Sequence, residues 1–151
     1  MDSQIRLRAA EGSDAPAVGA CVHAAYSHYI DRLGKPPGPM LDDYAAVIEA
    51  HRVFVAEAAG AIAGVLVLVQ SESSLLLDNV AVQPDWQGHG VGRMLLQHAE
   101  TVARELGFGS LDLYTHELMS ENIAMYLRVG YVETGRRTVR GYARVYMRKA
   151  L

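Results

Sequence analysis

The stretch Asp78–Leu95, DNVAVQPDWQGHGVGRML, decides how the chain is read. Gly88, Gly90 and Gly92 alternate immediately before an apolar pattern with helical spacing. Glycines permit positive φ and let backbone N–H groups approach an anion closely. A helix predicted from Val91 adds its own unpaired N–H groups and the positive end of its dipole. A pyrophosphate is the expected guest. The alternative is a turn that serves only chain reversal.

Outward from this loop, Leu75–Val82 reads as a strand. Val53–Ala58 and Ala61–Gln70 read as a hairpin turning at Ala59–Gly60. Downstream, Val91–Leu106 places Leu95, Leu96, Ala99, Val102, Ala103 and Leu106 on one helical face, with Gly107 as its C-terminal stop. Ser110–Thr115 is a strand, Ser120–Val129 a short helix ended by Gly130, and Tyr131–Glu133 and Ala143–Arg148 closing strands. At the start, Ile5–Arg8 alternates as a strand. A helix follows Ser13 or Asp14, with Pro16 in its first turn. GKPPGPM (Gly34–Met40) is a loop, and Leu41–His51 a second helix. The order β-α-α-β-β-β-α-β-α-β-β predicts an α/β fold of mixed sheet in a single domain spanning residues 1–151.

Bulk properties bound the function. Half of the 151 residues are apolar, enough for one core. The opening MDSQIRLRAAEGSD has no apolar h-region, which argues against a secretory signal. The longest apolar run, Ala58–Val69, is interrupted by Gly60 and Gly64 and is too short for a bilayer. A cytoplasmic protein without membrane contact is the expectation. The single cysteine, Cys21, lies in an Ala/Val-rich helical pattern and reads as a buried, inert thiol. No histidine has metal-ligand spacing with acidic partners, so no metal site is expected. A net charge of −3 argues against nucleic acid. Arg136, Arg137, Arg140, Arg144, Arg148 and Lys149 nevertheless crowd the last sixteen residues. They read as a solvated edge strand, or alternatively as a binder of an anionic part of a ligand.

Three phosphate-binding patterns compete for the glycine loop. A P-loop needs Lys-Ser/Thr after its last glycine, but Arg93-Met94 stands here. A dinucleotide fingerprint needs G-x-G-x-x-G within a βαβ unit, but the spacing here is G-x-G-x-G. The third pattern is Gln/Arg-x-x-Gly-x-Gly/Ala after a strand ending in Ala-Val. Gln87-Gly88-His89-Gly90-Val91-Gly92 follows Val80-Ala81-Val82 and Pro84 in that way. With these residues the chain resembles the GCN5-related N-acetyltransferase (GNAT) superfamily. ENIAMYLRVGY (Glu121–Tyr131) resembles a second conserved segment of that superfamily, and the likeness runs from about Val53 to Lys149.

The resemblance implies a mostly antiparallel sheet splayed at its central strand, with helices on both faces. It also implies acetyl-CoA as co-substrate. Val80, Ala81 and Val82 would pair with the pantetheine arm, one strand N–H polarising the thioester carbonyl. Gln87, Gly88, His89, Gly90, Val91, Gly92 and Arg93 would hold the pyrophosphate. Asn122 would hydrogen-bond the arm, a helix cap being its other reading. Tyr126 matches the general acid that protonates the leaving thiolate; a core aromatic is the competing reading. No position carries over for the general base, and His116, Glu117 and Asp78 are the candidates.

The acceptor is expected to be a small-molecule or peptide amine. AAYSHYIDRLGKPPGPMLDDY (Ala24–Tyr44) reads as a lid over the acetyl end, with Tyr29, Arg32 and Tyr142 as acceptor-side candidates. The reading is an N-acetyltransferase working by direct attack. A non-catalytic acyl-CoA-binding or regulatory domain is the alternative. Edge strands leave room for a homodimer.

Overall fold

Strand β4 (Leu75–Val82) lies at the centre of a seven-stranded sheet and organises the molecule. The computed structural model describes residues 4–151; the first three residues of the opening segment lie outside the described residues. The remaining elements are β1 (Ile5–Ala9), α1 (Ala15–Tyr26), α2 (Tyr29–Leu33), α3 (Tyr44–Ala50), β2 (Arg52–Ala58), β3 (Ala61–Gln70), α4 (Val91–Glu105), β5 (Ser110–His116), α5 (Ser120–Arg128), β6 (Val132–Val139) and β7 (Tyr142–Ala150). The strand order is β1-β2-β3-β4-β5-β7-β6. Neighbours are antiparallel except β4 and β5, which run parallel.

The sheet separates two cores. On one face, Val91, Leu95, Leu96, Ala99, Val102 and Ala103 of α4 pack with Leu66, Leu68, Leu75, Leu77, Leu111, Leu113 and Met147. Each of the valine, leucine and methionine side chains contributes about 1.5–3 kcal/mol on burial. On the other face, Val18, Cys21 and Val22 of α1 and Tyr44 of α3 cover Val53, Val55, Val65, Val67 and Ala81. Helices therefore lie on both faces.

The structure corrects three expectations about the elements. A third helix, α2, precedes β2, and Gly34 ends it with φ 78°. Its five residues are too few to display a helical period. The helix expected from Leu41 instead starts at Tyr44, where the Asp43 carboxylate accepts the Ala45 and Ala46 N–H groups at 3.1 and 3.4 Å. The closing hairpin is also longer than the apolar alternation predicted. All but the last residue of β6 are exposed, so this edge strand has no buried face to alternate and is held by pairing with β7.

Beneath the N-terminus of α4 lies Gly64. A Cβ there would stand 2.7 Å from Val91 Cγ1 and 3.0 Å from Leu95 Cδ1. The absence of a side chain lets α4 seat its first turn directly on β3 and β4. Gly64→Ala should lower stability in urea unfolding by about 1–3 kcal/mol, as overpacking does. An unchanged midpoint would mean that the helix does not need this close approach.

Candidate active site

After Leu77, β4 and β5 part. Their pairing is confined to Leu76↔Asp112 and Leu77↔Leu113, although both strands continue beyond it. The cause sits on the other edge of β4. Leu77 pairs with Leu68 and Asn79 with Val67, so Asp78 is an extra residue in β4. Such a bulge shifts the side-chain phase by one. Leu75 and Leu77 pack in the α4-side core, yet so does Val80, while Ala81 joins the α1-side core.

A buried polar chain fixes the bulge. Asn79 is 3% exposed. Tyr26 Oη stands 2.9 Å from both Asn79 Oδ1 and the Val80 carbonyl oxygen and shares its one proton between them. Asn79 Nδ2 donates to Tyr44 Oη at 3.0 Å, and that hydroxyl donates to the Pro39 carbonyl at 2.7 Å. The chain joins α1, α3 and the proline loop to one strand. Sequence reasoning missed Asn79 and Tyr26 as site residues. The only visible signal was an amide in the midst of the apolar run LLLDNVAV.

The strand's backbone follows from its register. Gln83 N–H donates to the Ala63 carbonyl at 2.8 Å, so Ala81 also turns its polar groups toward β3. Those of Val80 and Val82 then face the opened side. The Val80 carbonyl is already taken by Tyr26, which leaves the Val80 N–H without a ladder partner among the described residues.

At the end of β4, one 3-10 turn (Pro84–Trp86) leads into the glycine loop. Gly88 and Gly90 have φ of 81° and 82°. Gly90 is the N-cap of α4 and has no side-chain cap. The first normal backbone bond of the helix runs from Met94 N–H to the Gly90 carbonyl. The N–H groups of Gly88, His89, Gly90, Val91, Gly92 and Arg93 make no such bond among the described residues. Gln87 and Arg93 are exposed, and the His89 ring sits 5.4 Å from that of Trp86. A concave row of free donors at a helix start suits a pyrophosphate.

The splay opens into a cavity of about 540 Å³, lined among others by Asp78, Tyr114, His116, Asn122, Tyr126 and Tyr142. Asn122 and Tyr126 lie one turn apart on α5. Met119 occupies the N-cap of α5, so Asn122 is not the cap. Tyr126 is 5% exposed, and its hydroxyl makes no hydrogen bond to a described residue. Burial, followed by the nearby Tyr29, raises the Tyr126 pKa and keeps the phenol protonated.

The base candidates separate. Leu118 N–H donates to His116 Nδ1 at 3.0 Å, so the neutral ring carries its proton on Nε2 and has no free lone pair. Burial first lowers the His116 pKa. Glu117 is exposed, stands 3.7 Å from Arg136, and does not line the cavity. Asp78 lines it, and burial first, then Asp42, raise its pKa.

The acceptor-side residues separate too. Tyr142 lines the cavity; its hydroxyl donates to the Pro36 carbonyl at 2.8 Å, and Lys35 Nζ sits 4.0 Å over its ring. Lys35 also donates to the Gly141 carbonyl at 2.7 Å. The proline loop is thus strapped to the β6–β7 turn. Tyr29 is buried between His28 and Arg32 and does not line the cavity. Arg32 pairs with Glu121 and the Leu118 carbonyl, tying α2 to the start of α5.

Residues 49–133 match the family model described as an acetyltransferase (GNAT) domain. Streptothricin acetyltransferase of Streptomyces lavendulae is 36% identical over 87 residues, which cover 56% of this chain and 46% of that protein. The chain thus matches about half the length of that curated relative. The crystal structure of nourseothricin acetyltransferase superposes with a TM-score of 0.76 at 26% identity, covering 97% of this chain and 98% of the other. The PaiA N-acetyltransferase of Thermoplasma acidophilum, in complex with coenzyme A, shares the fold with a TM-score of 0.81 at 16% identity, over 98% and 99% of the two chains. The chain belongs to the GNAT family of acetyltransferases.

Proposed function

We propose that the protein transfers an acetyl group from acetyl-CoA to a primary amine by direct attack. The observation that carries this reading is the pairing of two features on one strand. β4 is opened beside Val80–Val82 and ends in a row of free N–H donors. Acetyl-CoA supplies the activated thioester. Val80 and Val82 pair with its pantetheine arm, Asn122 steadies the arm, and Gly88–Arg93 grip the pyrophosphate, Arg93 adding charge. The Val80 N–H polarises the thioester carbonyl.

The amine nitrogen bonds to the acetyl carbon as the carbon–sulfur bond breaks. The sulfur accepts a proton from Tyr126 Oη, and the ammonium proton passes to Asp78, directly or through a water. Burial raises the pKa of the phenol and also the basicity of a thiolate beside it, so the two stay matched. A carboxylate with a raised pKa is a better proton acceptor than an ordinary aspartate. Cys21 supplies no competing nucleophile, because burial pushes its thiol up to about 12.

The test is release of free thiol from acetyl-CoA with a panel of small amines, amino acids and streptothricin, the acceptor named for the relative. Thiol release accelerated by an amine supports the reading. Tight acetyl-CoA binding with no acceleration by any amine would favour a non-catalytic acyl-CoA-binding domain.

Tyr126→Phe should keep its acetyl-CoA affinity while kcat falls about 10²–10⁴-fold, the usual worth of a general acid. Equal turnover across the pH range would remove Tyr126 from that role. For Asp78, the raised pKa means the folded state holds the proton more tightly than the unfolded chain. Its stabilising contribution is full below the ordinary aspartate range and is lost as pH rises through the raised value. Asp78→Asn should therefore melt higher than wild type at neutral pH, yet lose the acidic limb of kcat/KM. Retention of that limb would assign the base elsewhere. Tyr26→Phe deprives Asn79 and Val80 of a buried donor and should cost about 1–3 kcal/mol in urea unfolding. Its kcat should fall with the amine KM nearly unchanged.

A further inference from the structure

Three of the six basic residues in the last sixteen positions stand in ion pairs among the described residues. Arg136 stands by Glu133 and Glu117, Arg148 by Asp112, and Lys149 by Glu100. Arg144 is placed differently. It lies on β7 opposite His116, half-buried, with its guanidinium carbon 3.9 Å from the Tyr114 ring centroid. Val145 and Met147 beside it point into the α4-side core, so Arg144 and Tyr114 face the other way. Arg144 lines the cavity that holds Asp78 and Tyr126. Its one side-chain hydrogen bond among the described residues is a long one to Tyr146 Oη at 3.4 Å, and none of their carboxylates lies within 4.0 Å.

Stacking on an aromatic face fixes the plane of a guanidinium and leaves its N–H edge for a second partner. The planar fork matches a carboxylate with two parallel bonds. The cavity carries charges of both signs. Asp78 of β4 and Asp42, before α3, line it, and so do Arg144 of β7 and Arg140 of the turn before it. A purely cationic amine would be drawn to the first pair and repelled by the second. A phosphate dianion would bring two more negative charges to a cavity that already holds two carboxylates. A molecule with one amine and one carboxylate offers a partner to each sign of charge in the lining.

We propose that Arg144, held on Tyr114, binds a carboxylate of the acceptor, so that the acceptor class is an amino acid. This inference rests on the transferase reading above. In it, Arg144 determines specificity, while Asp78 and Tyr126 move protons.

The test compares free amino acids with their carboxamides and with simple diamines, by thiol release from acetyl-CoA. Wild type should favour an acid over its carboxamide in kcat/KM. Arg144→Gln should raise KM for the acid about ten- to hundredfold, the worth of a hydrogen-bonded charged pair, with kcat within about twofold. KM for the carboxamide should not move, and acetyl-CoA affinity, measured by titration, should confirm that the variant is folded. Arg144→Lys should recover only part of the loss, since it keeps the charge without the fork. Amines accepted with no preference for the acid, or an acid KM unmoved in Arg144→Gln, would overturn the Arg144 assignment and leave the transferase reading standing. No amine accepted at all would overturn both.

Discussion

The extra residue in β4 is the constraint on which the rest of the site depends. One strand must satisfy β3 on one side and part from β5 on the other. Asp78 makes this compatible, because a bulge lets β4 keep its ladder with β3 while turning away after Leu77. A bulge in the centre of a sheet leaves polar groups to be satisfied. Asn79, Tyr26 and Tyr44 meet that need inside the α1-side core. The polar chain is buried, where a missing partner is costly and a complete network is rigid. The strand that faces the reacting carbonyl in the proposed reaction is therefore anchored by a buried network.

From this strand the site divides by element. The glycine loop and the first turn of α4 present backbone donors, and they sit close because Gly64 lets the helix settle on the sheet. Helix α5 presents Asn122 and Tyr126 from a single face, and Arg32 secures its start through Glu121. The proline loop and the β6–β7 turn are joined by Lys35 and Tyr142 beside the cavity. In the proposed reaction, grip, proton supply and acceptor contact come from three pieces of chain that the Asn79–Tyr44–Pro39 chain and the Arg32–Glu121 pair tie together.

The central half of the chain was the most legible in the sequence. The bounds of β3 and β4 and the start of α4 are given by apolar runs bounded by turn residues, and the structure has them at Ala61–Gln70, Leu75–Val82 and Val91. Family membership was legible because the glycine spacing and the preceding VAV act through backbone geometry, which few residue types can supply. What sequence could not give depends on contacts between distant segments. The Asn79–Tyr26 pair is separated by 53 positions. The loss of His116's free lone pair to Leu118 N–H is a matter of one loop's geometry. The basic C-terminal cluster is spread by the fold, with Arg136, Arg148 and Lys149 in ion pairs and Arg140 and Arg144 lining the cavity, a division that sequence spacing does not display. The hairpin expected over Arg136–Met147 is present, but its strands run as Val132–Val139 and Tyr142–Ala150, because an exposed edge strand leaves no apolar signature to bound it.

The central claim is that β4 and the loop after it form two neighbouring grips on one coenzyme A molecule. Backbone amide chemical shifts, followed by NMR as acetyl-CoA is added, test it most directly. The account predicts the largest shifts at Val80 and Val82 and along Gly88–Arg93, saturating together with one affinity. Shifts confined to the glycine loop, or saturating elsewhere in the sheet while Val80 and Val82 stay unmoved, would contradict it.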